Sequence, residues 1–262
     1  MSFTYDSNND QNSNEENLKS EIIVGRNSVI AALSSLQRDI ECIYLLKGSE
    51  LSKTPGKILA LAKQKGIPVK EAAQGKFDAL CHGENHQGVA AVVSAYKYSS
   101  VEDIVAKSDE NGSFIIICDG IEDPHNLGAI IRTAEASGVS GVIIPKRRSA
   151  GLSPAVCKAS AGAVEFMPVA RVTNISNLIT DLQKLGYWVY AADVGGTPWK
   201  KADYRGKVAV VIGSEGFGIS RLVKEHCDAV VSIPMFGQTN SLNASVAAAI
   251  IMYEASSQRN NI

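Results

Sequence analysis

The segment SFIIICDGIEDPHNLGAIIRTAEASG, Ser113 to Gly138, decides the fold. Its apolar run Phe114–Cys118 has the length of a strand, and an unbroken run of this kind suits a strand buried on both faces. Asp119-Gly120 and Pro124 then mark a turn. Leu127, Ile130, Ile131 and Ala134 follow at i, i+3, i+4 and i+7, the stripe of an amphipathic helix over Asn126–Ser137. Asn126 is one candidate for its cap, with a residue or so earlier as the other. A second apolar run, Gly141–Ile144, predicts the next strand. Strand, helix and strand in this order define a parallel crossover unit.

The same alternation continues toward the C-terminus. Strands are expected near Phe166–Ala170, Trp188–Ala192, Val208–Ile212 and Ala229–Ile233. Helices are expected around Ala155–Ala161, Ile175–Leu185, Ile219–Glu225 and Ser241–Ser256. The fold class is therefore α/β, a mostly parallel sheet covered on both faces, whose ligands bind beyond the carboxyl ends of the strands. Upstream, Ser28–Leu36 and Lys57–Lys65 read as helices, and Ile40–Leu46, Ile67–Val69 and Gly88–Ser94 as strands. That is a second, smaller α/β unit over residues 22–97. Residues 98–112 are polar, with a short helical stretch, and read as a linker, and residues 113–262 form the larger domain.

Charge separates the same regions. The 262 residues carry 26 Lys/Arg and 27 Asp/Glu. Residues 1–21 hold one lysine against five acids and read as a disordered acidic tail. Residues 22–97 hold ten Lys/Arg against six Asp/Glu, which suits an anionic partner. No apolar run approaches the ~18 residues of a membrane helix, and the polar first twenty residues lack the core of a secretory signal. Five scattered cysteines without a CxxC predict a reducing, cytoplasmic setting, and the lack of a long apolar run predicts no membrane partner.

Three segments carry chemistry. In the first, Arg132 points away from the buried stripe. It is either an ordinary solvated arginine or one held for an anion. In the second, Gly213-Ser-Glu215-Gly-Phe-Gly218, the glycines permit close backbone approach to a ligand. Their spacing is not the dinucleotide G-x-G-x-x-G, and no P-loop lysine follows. Packing explains Glu215 among the glycines poorly. The third, Ile233-Pro-Met-Phe-Gly-Gln-Thr-Asn240-Ser241-Leu242-Asn243, gathers amides and hydroxyls at a helix start. It is a capping cluster or a pocket of polar donors. Cys81, His82 and His86 lack a clear fourth ligand for a metal. Lys146-Arg147-Arg148 follows a strand end and reads as a phosphate-facing loop.

In this order and spacing the three segments resemble the three motifs of the SpoU/TrmH branch of the SPOUT RNA ribose methyltransferases. Val24-Gly-Arg26-Asn-Ser-Val29, His86-Gln87-Gly-Val89, Ser149-Ala-Gly-Leu152, Lys158-Ala-Ser-Ala-Gly-Ala-Val-Glu165 and Pro168-Val-Ala-Arg-Val172 extend the resemblance over nearly the whole chain. It is nearest to the bacterial enzymes of this branch that modify guanosine in 23S rRNA. The resemblance implies a C-terminal trefoil knot, an exception to the usual un-knotted connections. It implies transfer of a methyl group from S-adenosylmethionine to a ribose 2′-hydroxyl, with no metal, by a homodimer joined through the C-terminal domain.

It also implies roles for individual residues. Arg132, Asn126, Glu215 and Asn243 would be catalytic. Gly213, Gly218, Ile233, Ser241 and Leu242 would hold the cofactor. Arg26, His86, Gln87, Lys146, Arg147 and Arg148 would meet RNA, with residues 22–97 as the substrate-binding domain. Alternatives are a tRNA ribose methyltransferase, against which the acidic N-terminus counts, and an inactive RNA-binding or ribosome-assembly protein.

Overall fold

A computed structural model describes residues 20–35, 37–48, 53–108 and 112–262. The expected acidic tail therefore lies outside the described residues, apart from Ser20 and Glu21. These two are ordered: Glu21 opens the first strand, and its carboxylate pairs with Arg38.

The first unit begins with β1 (Glu21–Val24), α1 (Arg26–Ser35), β2 (Ile40–Leu46), α2 (Lys53–Gln64), β3 (Val69–Ala72), α3 (Gln74–Cys81) and β4 (Val89–Val93). The four strands order as β1-β4-β2-β3, with only β2 and β3 parallel. The strand expected at 67–69 starts where that segment ends, because Gly66 closes the helix in a left-handed conformation and Ile67-Pro68 still belong to the turn. β1 and α3 were not expected. Both complete the core, in which Phe77 and Cys81 pack with Val24, Ala72 and Ala90.

The second unit opens with α4 (Val101–Val105), inside the segment read as a linker. Ser100 and Asp103 form a reciprocal capping box at its start. Val101 and Ile104, one turn apart, are buried. A Cβ at Gly141 would lie 2.6 Å from Ile104, so a glycine is required there. The chain then runs through β5 (Gly112–Asp119), α5 (Pro124–Ala136) and β6 (Gly141–Pro145).

Residues Leu152–Phe166 leave this unit and group with the first. They contain α6 (Pro154–Ala159) and a 3₁₀ turn at Ala163–Glu165. The guanidinium of Arg38 donates to Glu165 Oε1 at 3.3 Å as well as to Glu21. A contiguous two-domain division therefore omits one return of the chain to the first unit.

The second unit resumes with β7 (Val169–Val172), α7 (Ile175–Lys184), β8 (Trp188–Pro198), β9 (Gly206–Gly213), α8 (Arg221–His226), β10 (Ala229–Ser232) and α9 (Ala244–Asn260). Its six strands order as β10-β8-β9-β5-β6-β7, and every pair is parallel. In β5, Ser113 to Cys118 are all buried. Successive side chains point to opposite faces, so both faces of this central strand are covered. Because the strands are parallel, the segments after β5, β6, β9 and β10 emerge at one edge of the sheet.

Candidate active site

At the end of β5 the helix cap falls on Asp123, whose carboxylate accepts the His125 N–H at 2.9 Å, with Pro124 as the first helical residue. Asn126 is thereby released from capping. It is 8% exposed, and its Oδ1 accepts a hydrogen bond from Asn243 Nδ2 at 3.0 Å. Asn243 also donates to Glu215 Oε1. Its own Oδ1 caps α9, accepting from the N–H groups of Ser245 at 3.0 Å and Val246 at 3.3 Å. One amide thus joins all three motif segments. The helix expected from Ser241 starts at Ala244 because Asn243 is its cap.

The glycine segment after β9 is a tight loop. Ser214 and Gly218 exchange backbone hydrogen bonds of 3.1 and 2.8 Å, and Gly218 has a φ of +66°. A Cβ at Gly213 would lie 2.2 Å from the Gly218 carbonyl carbon. Gly213 therefore serves the turn itself, where the sequence suggested room for a ligand. The Ser220 N–H reaches back to Asp119 Oδ2 at 2.8 Å and ties the loop to the end of β5.

Two clefts meet along this loop. The first has a volume of about 250 Å³ and is lined by Gly213, Gly218, Ile233, Ser241 and Leu242, together with Asp193 and Glu215. All five predicted cofactor residues are brought together there. Its charged lining consists of those two carboxylates, with no lysine, arginine or histidine. The second, of about 380 Å³, shares Ser214 and Glu215 with the first and adds Asn126, Glu122, Arg148 and Phe217.

The remaining predicted residues sit elsewhere. Arg132 is exposed on α5 and lines neither cleft. Six residues beyond Asn126, it stands about 9 Å further along the axis at ~1.5 Å per residue. Lys146, Arg147 and Arg148 are exposed after β6. Among the three, Arg148 enters a cleft, and it does so with a φ of +56°. In the first unit, Arg26 Nε donates to the Gln87 carbonyl at 3.3 Å, and His86 Nδ1 accepts the Gly88 N–H at 3.0 Å. The other nitrogen of His86 lies 3.3 Å from Asp78. Among the described residues no group of three His, Cys, Asp or Glu side chains could hold a metal.

Sequence reasoning missed Asp193, which interrupts an apolar strand and pairs with Lys224 at 2.6 Å. It also missed Glu122 and Phe217, which were quoted inside motifs but given no role. Burial and the neighbouring Asp119 carboxylate push the Cys118 thiol up to about 12. It is held as a neutral core group and not as a nucleophile.

Comparison with known proteins places this arrangement. Residues 113–253 match the model of the SpoU rRNA methylase family, and residues 22–99 match that of the RNA 2′-O ribose methyltransferase substrate-binding domain. The chain therefore belongs to the SpoU/TrmH family of RNA methyltransferases. It is 46% identical to a Staphylococcus saprophyticus protein assigned to the TrmH family of tRNA/rRNA methyltransferases, over 92% of this chain and 97% of that one. An AdoMet-bound rRNA methyltransferase from Sinorhizobium meliloti superposes with a TM-score of 0.75 at 26% identity, covering 94% of this chain and 89% of the other. The SpoU methyltransferase AviRb from Streptomyces viridochromogenes, in complex with AdoMet, shares the fold with a TM-score of 0.77 at 24% identity, over 98% and 96% of the two chains.

Proposed function

We propose that this protein methylates the ribose 2′-hydroxyl of a guanosine in 23S rRNA, in the cytoplasm, with S-adenosylmethionine as donor. The observation that carries the reading is the Asn126–Asn243–Glu215 bridge, which holds three separate motif segments at the rim shared by two clefts. The first cleft suits the donor. Its charged lining is wholly acidic, which favours a ligand bearing a sulfonium and an ammonium group. Apolar Ile212, Val231 and Ile251 in the same lining offer a surface for an adenine ring. When bound, the donor supplies an electrophilic methyl group.

The chain's own groups do the rest. Asn126, fixed by Asn243, keeps its amide N–H groups for the acceptor nucleotide. Arg132 carries a guanidinium, a set of N–H donors with no acceptor, and so offers no base. Its role is therefore to hold an RNA phosphate and stabilise negative charge developing on the attacking oxygen.

Arg132 lies outside both clefts of a single chain, and a homodimer through the second unit accounts for that. Val246, Ala249, Ile250 and Tyr253 recur at i, i+3, i+4 and i+7 on α9, and each keeps exposed surface. This is a second apolar stripe, opposite the buried one formed by Ala244, Ala248, Ile251, Met252 and Ala255. Two-fold pairing of such stripes would carry each copy's α5, which packs on α9, toward the partner's clefts. The resemblance adds a trefoil knot in the C-terminal domain.

Nucleotide-resolved mass spectrometry of RNA from cells lacking the gene is the test. One 23S rRNA guanosine should lose its 2′-O-methyl group, and purified protein with S-adenosylmethionine should restore it. Loss from a tRNA instead would move the substrate to that class.

A further inference from the structure

We infer that the second cleft is a guanine-reading pocket, in which Glu122 accepts from the base, Phe217 stacks on it and Arg148 holds its phosphate. The inference rests on the methyltransferase reading and assigns residues that the reading leaves without a role.

The cleft holds four carboxylates, and three are committed. Asp119 accepts the Ser220 N–H, Asp123 caps α5, and Glu215 accepts from Asn243. Glu122 lines the same space and has no hydrogen-bonding or ion-pair partner among the described residues. A carboxylate is an acceptor at both oxygens. Guanine alone among the four RNA bases presents two adjacent N–H donors, N1–H and N2–H, on its pairing edge. Cytosine and adenine each place a ring acceptor beside their amino group. Uracil flanks its single N–H with two carbonyls. A free carboxylate therefore selects guanine.

Two further groups fit a nucleotide and not a simple cation. Phe217 is 97% exposed on the rim, and a phenyl ring left in water offers a face on which an unstacked base can lie. Arg148 is the one cation in the lining, and it too has no partner among the described residues. It adopts the left-handed backbone region that non-glycine residues seldom occupy. Its loop is fastened to that of Glu122, since the Ile121 carbonyl accepts from the Ala150 N–H at 2.8 Å and from Ser149 Oγ at 3.3 Å. Base acceptor, stacking face and phosphate donor thus sit around the Asn126 amide.

The test uses full-length protein, S-adenosylmethionine and total RNA from cells lacking the gene, with products resolved by nucleotide. Glu122→Gln replaces one acceptor with a donor and matches adenine better than guanine. It should lower kcat/KM for guanosine about tenfold to a hundredfold, consistent with the worth of a bidentate base contact, and raise the share of methyl found on adenosine. Phe217→Ala should raise KM, and Phe217→Tyr should restore it. Calorimetry should show unchanged affinity for the methyl donor in all three. A Glu122→Gln enzyme with wild-type kcat/KM and wild-type nucleotide choice overturns the inference, and so does a wild-type enzyme that methylates a pyrimidine. Absence of methyl transfer by the wild-type protein to any RNA would instead remove the methyltransferase reading, and this inference with it.

Discussion

Asn243 uses its side chain in two directions, as a cap for α9 through Oδ1 and as a bridge to Asn126 and Glu215 through Nδ2. Two substitutions separate these uses. Asn243→Ala loses both, and should cost about 1 kcal/mol for the cap in addition to activity. Asn243→Asp keeps a capping acceptor but cannot donate, and sets a carboxylate against Glu215. It should lose transferase activity with a smaller fall in helix stability than the alanine variant. Thermal melts beside initial rates would show the split, and equal melting temperatures would refute it. Gly213 and Gly216 make a second contrast. Gly213→Ala places a Cβ 2.2 Å from the turn backbone, whereas a Cβ at Gly216 meets nothing within 4 Å. Donor affinity measured by calorimetry should fall for the first and persist for the second. Gly213 and Asn243 stood out through the resemblance of their segments to the family motifs, while their own residue types left an ordinary turn and an ordinary cap open. Sequence reasoning could not see that the Gly213 constraint is internal, since the Gly218 carbonyl is brought there only by the closed loop.

At the scale of elements, what was legible followed from local pattern. β5 holds an unbroken apolar run from Phe114 to Cys118, β2 is apolar but for Glu41, and α5 and α7 carry one clear stripe each. β1 was hidden because Glu21 reads as the end of an acidic tail, while its pairing partner β4 lies some seventy residues away. α4 is the short helical stretch expected in the linker, but its place in the second unit was hidden until burial of Val101 and Ile104 and the approach of Ile104 to Gly141 were seen. α9 shows the reverse case. Its apolar residues cover most of the circumference, and the structure leaves the Val246–Tyr253 stripe partly in water. Ile250→Glu should keep the fold, since Ile250 is only half-buried, and should release monomers with little activity. Sedimentation with circular dichroism decides this. A wild-type protein that is monomeric and fully active would remove the dimer.

At the scale of the whole molecule, the least legible feature was the return of residues 152–166 to the first unit, because no local pattern says which core a segment joins. Within that unit, Glu165 is 1% exposed, and its Oε2 has no hydrogen-bond partner among the described residues. Burial holds its carboxyl above the usual range, against the opposing effect of Arg38. A carboxyl raised in the folded state binds its proton more tightly there than in the unfolded chain. Its penalty is therefore fully present above the folded pKa and is relieved as pH falls toward the ordinary carboxylate value. Glu165→Gln should remove that component, so the stability of the wild type relative to the variant should rise on acidification. Urea midpoints at a series of pH values would test the sign.

The discontinuous first unit also dictates how the chain can be divided. A fragment beginning at Tyr98 keeps α4 and the six-stranded sheet but strips Val156, Cys157 and Val164 of the unit in which they are buried. Hydrogen exchange should show residues 152–166 of that fragment unprotected, while β5 and β9 remain as slow as in the full chain. The fragment also lacks the ten Lys/Arg of residues 22–97. Full-length protein should bind RNA with an affinity that falls steeply with salt, as phosphate contacts release counterions. The fragment should bind the methyl donor unchanged and RNA far more weakly, with a shallower salt slope. Equal slopes for fragment and full chain would place the phosphate contacts in the second unit, at Lys146–Arg148 and Arg132, and would take the recognition role away from the first.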